Sequence, residues 1–374
     1  MPHVSSSRRD ATRRPAPTVV LASALVAALT ALTACAADPE PTPPTSSEAV
    51  TPTEDAELLR AIRPTFSDPE DVVAVAVVDG DQLRTAFIGA DADTAFEIGS
   101  VSKTFIGLLL AEAVDRGEVA PDDPIGEYLE LGDAPAASVT FEELATHSSG
   151  VPTFPSDPEW MASVEEGFFA GEDVLDETVP ELLALARAET IPPDAPPQYS
   201  NLGAALAGQA LAAAAGTDYA TLLEERIFEP LGLETATLPV EDDEVPDALA
   251  PGFLADGRPA EPSTLAAFAP AGGIVATVDD LAAYARGVID GPFADSPALE
   301  PARAWEGSEM GWFWVLSTGY DGHEIASHGG LTAGFGASLM IDRTAGRAVI
   351  VLSNGGEPVD ALAEDLMARV IRGD

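Results

Sequence analysis

Strand-like alternation of apolar and polar positions is concentrated near the two ends of the folded part of the chain, and helical spacing fills the middle. Val72 to Val78 is a β-branched run, Asp79-Gly80-Asp81 has turn chemistry, and Leu83 to Ile88 resumes the apolar pattern, which predicts a hairpin. Strand character returns in Gly311 to Leu316, Gly334 to Ile341 and Arg347 to Ser353. Ahead of the hairpin, Ala56, Leu58, Leu59 and Ile62 share one side of a helix that Thr53 is expected to cap, with Glu54 and Asp55 in its first turn. Val359 to Ile371 has a similar amphipathic spacing and closes the chain. The run Ser102 to Arg116 is apolar almost all round and stops at Gly117, the mark of a buried helix. From about 118 to 262, helical stretches alternate with Pro- and Gly-rich loops, Ala204 to Ala215 and Tyr219 to Phe228 being the clearest helices. Strands at both ends with helices between predict an α+β fold. In it, residues 54–105 and 263–374 build an antiparallel sheet flanked by helices, residues 106–262 form a mostly helical insertion, and 54–372 make one catalytic unit.

The N-terminal residues follow neither pattern. Arg8, Arg9, Arg13 and Arg14 precede an apolar stretch, Val19 to Thr33, that is short for a membrane span, so residues 1–34 read as a targeting segment. It ends in Leu32-Thr33-Ala34-Cys35, which resembles the lipobox of bacterial lipoproteins. That likeness makes Cys35 the lipidated N-terminus of an extracytoplasmic protein held to the membrane by its lipid anchor alone. Cys35 is the single cysteine, which excludes an internal disulfide. Residues 35–53 are rich in Pro, Thr, Ser, Ala and Glu and read as a solvated tether.

Charge narrows the partners. The chain carries a formal net charge of −45, and setting the targeting segment aside makes the remainder more negative still. Nucleic acid and anionic lipid surfaces are therefore poor partners.

Lysine usage supplies the chemistry. Lys103 is the only lysine; every other basic residue apart from histidine is arginine. It stands three residues after Ser100, in Gly99-Ser100-Val101-Ser102-Lys103, so the two side chains share one face at the start of the buried helix. A buried lysine can lose its proton and serve as a base, which arginine cannot. The pair reads as a hydroxyl nucleophile and its activator, and Lys103→Arg is expected to fold normally yet lose acylation. Other chemistries are excluded by pattern. There is no Gly-x-Ser-x-Gly elbow, no His-Glu-x-x-His or paired cysteine for a metal, and no phosphate-cradling Gly-x-x-x-x-Gly-Lys loop. A cofactor-free serine enzyme remains.

Three further phrases follow in order: Thr146-His147-Ser148-Ser149-Gly150-Val151-Pro152, Gln198-Tyr199-Ser200-Asn201 and His328-Gly329-Gly330. With the Ser-x-x-Lys pair, they make the chain resemble the serine β-lactamase and penicillin-binding protein superfamily. The likeness is to the branch of class C β-lactamases, D-alanyl-D-alanine carboxypeptidases and related esterases, and it runs from about residue 54 to 372. Softer family phrases are Pro230-Leu231-Gly232-Leu233, Ala271-Gly272-Gly273-Ile274 and Leu352-Ser353-Asn354. The resemblance implies that Ser100 forms an acyl-enzyme, that Lys103 and Tyr199 share the proton work with either as base, and that Asn201 binds a polar part of the substrate. His328, Gly329 and Gly330 would form the third box, and the amides of Ser100 and Leu331 the oxyanion hole. Asn201 could instead cap the following helix. His147 reads as a loop-shaping residue, and His323 and His3 as incidental.

The third box departs from the family's Lys-Thr-Gly. A histidine replaces the lysine and Gly329 lacks the hydroxyl, both of which would hold a substrate carboxylate. The implied function is hydrolysis of an amide or ester in a small-molecule or peptidoglycan-like substrate. D,D-carboxypeptidase or β-lactamase-like action comes first and small-ester hydrolysis second. A penicillin-acylated sensor or envelope scaffold is the alternative from another class.

Overall fold

A computed structural model describes residues 53–192 and 195–373. The signal segment 1–34, Cys35 and all of the tether but Thr53 lie outside the described residues, as does His3.

Nine strands form the main sheet. In spatial order they are Thr53–Glu54, Gln82–Ile88, Val73–Asp79, Arg347–Ser353, Gly336–Asp342, His323–Leu331, Val315–Gly319, Ser308–Met310 and Arg303–Trp305. Every pairing is antiparallel except that of the two-residue edge strand Thr53–Glu54, which runs parallel to Gln82–Ile88. The N-terminal hairpin therefore sits beside the C-terminal strand: Val73 is opposite Ser353 and Asp79 opposite Arg347. That is the sheet from both termini expected of the α+β pattern.

Strand periodicity sorts the two faces. Val73, Val75 and Val77 point to one layer, where Leu58, Ile62, Ala363, Leu366 and Met367 of the terminal helices cover them. Ala74, Ala76 and Val78 point to the other, into the larger core that holds the central helices. A strand buried on both faces reads as an unbroken apolar run, and Val72 to Val78 does so for that reason. Methyl-sized alanines alternate with valines, so the core helices approach this side of the sheet closely.

Three local expectations are corrected. Thr53 does not cap the first helix, because it pairs with Arg84 in the edge strand. The helix is Ala56–Ile62 and its cap is Asp55, whose carboxylate accepts the Glu57 and Leu58 amides at 2.7 and 3.1 Å and pairs with Arg84 at 3.0 Å. Gly311 to Leu316 is not one strand: Trp312, Phe313 and Trp314 are buried in a non-strand link with φ of +58° at Phe313. Phe313 N–H donates to the Ala145 carbonyl there, not to a strand neighbour. Finally, the expected boundary between residues 105 and 106 falls inside a helix, Ser102–Asp115. Among the described residues no helix is long and apolar enough to cross a membrane.

Candidate active site

The buried helix Ser102–Asp115 is preceded by a tight turn, Gly99–Val101, which presents Ser100 at the helix start. Two straps fix this turn. Ile98 N–H donates to the Ile274 carbonyl at 3.0 Å, and Ile274 N–H donates back to Ser102 Oγ at 3.2 Å. The Ala271-Gly272-Gly273-Ile274 phrase is thus the partner of the Ser100 turn.

Lys103 is fully buried. Its Nζ donates to Ser100 Oγ at 2.9 Å and to the Ala271 carbonyl. Burial alone pushes the amine down from its ordinary value of 10.5 to about 7. Tyr199 lies over this amine, its ring centroid 5.0 Å from Nζ. Burial pushes the phenol well above its ordinary range, opposed in part by the nearby Ser100 hydroxyl. The two neighbours of Ser100 are therefore driven in opposite directions, one toward a free amine at neutral pH and the other toward an un-ionised phenol.

Tyr199 and Asn201 are held by the His147 segment. Gln198 N–H donates to the His147 carbonyl at 2.8 Å and Ser200 N–H to His147 Nδ1 at 3.2 Å, while the His147 and Tyr199 rings lie 4.5 Å apart. Burial, then Lys103 and His328, hold His147 well below the usual imidazole range, so it is neutral. Helix Asn201–Ala215 is capped by Ser200, whose Oγ accepts Gly203 N–H at 2.7 Å. Asn201 is not the cap; it lines the cavity beside Ser100.

His328, Gly329 and Gly330 lie on His323–Leu331, whose pairing with Val315–Gly319 ends at Ser327. Beyond that point the strand meets the Ser100 turn. A Cβ on Gly330 would fall 2.0 Å from the Ile98 carbonyl oxygen, and one on Gly99 would fall 2.7 Å from Leu331 N. Glycine at both places lets the strand backbone at Gly330 and Leu331 lie directly against the Ser100 turn. His328 is buried, its Nδ1 2.6 Å from the Gly329 carbonyl oxygen and its ring 6.2 Å from that of Tyr199. Burial, then Lys103, push it down to about 4, so it carries no charge at neutral pH. A side chain at Gly329 would point at Asp360, a Cβ there falling 2.4 Å from Oδ1. His323 is engaged by Asp342 at 2.8 Å, five residues earlier on the same strand.

The structure thus brings together Ser100, Lys103, Tyr199, Asn201, His328, Gly330 and Leu331. Sequence reasoning missed the Ala271 carbonyl on Lys103 and the apolar cavity walls, Phe154, Val164, Phe168, Leu175 and Phe268. Backbone carbonyls leave no trace in composition, and the wall residues look like core. The adjacent pair Phe168-Phe169, 43% and 65% exposed, was the one available signal.

A serine hydrogen-bonded to a fully buried lysine at the start of a buried helix is the arrangement of a serine hydrolase. The sequence profile of the β-lactamase family matches residues 68–372, and the chain belongs to that family of serine hydrolases. It is 26% identical over 336 residues to penicillin-binding protein 4 of Amycolatopsis lactamdurans, covering 80% of this chain and 84% of that protein. With β-lactamase-like protein 2 of Dictyostelium discoideum it shares 32% identity over 169 residues, 43% of this chain but 29% of that one. The chain thus spans under a third of that relative's length. The fold superimposes on a class C β-lactamase from Rhodobacter sphaeroides with a TM-score of 0.70 at 22% identity, over 85% of this chain and 98% of the other.

Proposed function

We propose that the enzyme hydrolyses an uncharged ester or amide through an acyl-enzyme on Ser100. The observation that carries this reading is the fully buried Lys103 amine, 2.9 Å from Ser100 Oγ, with the Ala271 carbonyl as its second partner. As the free amine it keeps an N–H on that carbonyl and turns its lone pair to the Ser100 hydroxyl. Ser100 Oγ attacks the substrate carbonyl carbon while its proton passes to Lys103. The oxygen that becomes negative is held by the Ser100 and Leu331 amides, donors typically worth roughly 3–4 kcal/mol of barrier. On collapse the proton leaves Lys103, relayed by the Tyr199 hydroxyl, to the departing oxygen or nitrogen. Water then attacks the acyl-enzyme, gives one proton back to Ser100 Oγ by the same route, and frees the acid. The opposite shifts of the two groups favour Lys103 as base and Tyr199 as relay.

Two features favour a substrate without a carboxylate. His328 is neutral where a cation would be needed, and Gly329 is backed by the Asp360 carboxylate. This moves neutral esters and amides ahead of β-lactams and D-alanyl peptides. The lipobox-like Leu32-Thr33-Ala34-Cys35 supports a lipid-anchored enzyme outside the cytoplasm, which loss of palmitate labelling in Cys35→Ala would check.

The test is intact-mass spectrometry of the full chain in detergent with a p-nitrophenyl ester and with a penicillin, Ser100→Ala in parallel. Ser100-dependent p-nitrophenol release is expected. A persistent penicillin adduct without turnover of any substrate would replace this reading with the sensor alternative.

A further inference from the structure

A cavity of about 140 Å³ opens beside Ser100, walled by Phe154, Val164, Phe168, Val174, Leu175 and Phe268. Asn201 and Leu331 border it, whereas Lys103, Tyr199 and His328 are absent from its lining. That asymmetry sorts the two halves of a substrate. A leaving group must lie beside the groups that protonate it, so the cavity on the other side of Ser100 is left for the acyl part.

Its electrostatics are equally one-sided. The charged side chains in the lining are both acids, Glu172 and Asp173. Asp173 is already fixed, its Oδ2 accepting the Thr264 N–H and hydroxyl at 2.9 and 2.8 Å. Arg258, whose guanidinium reaches the Phe169 carbonyl, is paired with Asp256 at 2.9 Å. A carboxylate entering this cavity would be desolvated against apolar walls beside two like charges, with no cation in the lining. Apolar cavities of about 150 Å³ hold a benzene-sized group.

Resting on the Ser100 acyl-enzyme reading, we propose that this cavity selects the acyl group. The group it takes is an uncharged hydrocarbon of about six carbons, a straight medium-length chain or a phenyl-bearing one. Phe168, on the helix Pro158–Ala170 and 43% exposed, forms its outer wall. Burying each added methylene there should raise kcat/KM by about four-fold until the cavity is full.

The experiment compares p-nitrophenyl acetate, butyrate, hexanoate and decanoate with the mono-p-nitrophenyl ester of adipic acid, which is hexanoate with a terminal carboxylate. Alkyl acetates of rising alcohol length form a second series, and the full-length wild type, Ser100→Ala and Phe168→Ala are assayed together. The expected result is a Ser100-dependent kcat/KM that climbs to hexanoate and then levels. The adipate half-ester should be at least ~30-fold poorer, and Phe168→Ala should shrink the hexanoate-to-acetate ratio about five-fold. Ser100-dependent turnover with a flat acyl profile, an equal rate on the adipate half-ester, or a steeper dependence on the alcohol would overturn the acyl assignment while leaving Ser100 as nucleophile. No Ser100-dependent turnover of any ester would overturn both.

Discussion

His147 holds Tyr199 from both sides in sequence: its carbonyl takes the amide before the tyrosine and its imidazole the amide after it, with the two rings 4.5 Å apart. It does so from a backbone φ of +52°, which few residues other than glycine and asparagine accept. Replacing it by alanine leaves the buried Ser200 N–H without an acceptor and strains the turn. His147→Ala is expected to lose about 1–3 kcal/mol of stability and at least ten-fold in kcat. His147→Asn, which tolerates the turn and keeps an acceptor, should recover part of both. Urea unfolding and ester kinetics on the two variants would show this; equal kcat in wild type and alanine variant would remove His147 from the positioning of Tyr199.

Burial of Lys103 changes what its substitution tests. An arginine there would force a permanent charge and a larger group into a site with no exposure, so Lys103→Arg is expected to destabilise the fold as well as abolish acylation, correcting the expectation from sequence. Lys103→Met fits the space and should lose at least ~10³-fold in acylation while folding well, as measured by single-turnover kinetics beside a thermal melt.

Lys103 also sets the pH dependence. With its amine at about 7, kcat/KM on a neutral ester should fall ten-fold per unit as pH drops below 7 and stay level above it. A rate that goes on rising with pH far above 7 would instead make the Tyr199 phenolate the base.

Glu97, just before the Ser100 turn, is buried and pushed up from 4.5 to about 7, mainly by desolvation. Its Oε1 accepts Ser263 N–H at 2.7 Å and its Oε2 has no partner. A raised acid favours the folded state most below 4.5, and this contribution is lost as pH rises through 7. A lowered amine does the reverse: folding is penalised below 7, and the penalty disappears between 7 and 10.5. His328 and His147, both held low by burial, make stability rise with pH up to about 6.5 and so offset Glu97 in that range, which leaves the Glu97 contribution visible as a difference between wild type and a Glu97 variant. Glu97→Gln should exceed wild type at pH 8 by about 2–3 kcal/mol and lose that advantage as pH falls toward 4, read by denaturant titration of both proteins across pH 4 to 10. An equal stability of the two proteins at pH 8 would show that Glu97 carries no such cost.

The boxes were legible because each is short, local and made of rare chemistry: one lysine in the chain marks Ser100, and Tyr199 and Asn201 stand two residues apart. The hairpin and both terminal helices were legible by periodicity. Trp312 to Trp314 misled because large apolar residues in a row suggest a strand, whereas a positive φ at Phe313 folds them into the core. Thr53 misled because a cap and an edge strand draw on the same residue types, and pairing with Arg84 decided it. The cavity walls were not legible, since Phe154, Phe168 and Phe268 meet through the fold alone and each looks like core.

The contact of Gly329 with Asp360 has a consequence for the paths open to mutation. A side chain at position 329 has to displace the Asp360 carboxylate, which accepts the Ser338 hydroxyl at 3.0 Å. Any side chain gained at position 329 is therefore felt in the C-terminal helix Asp360–Arg372, so the third box and the end of the chain vary together rather than independently.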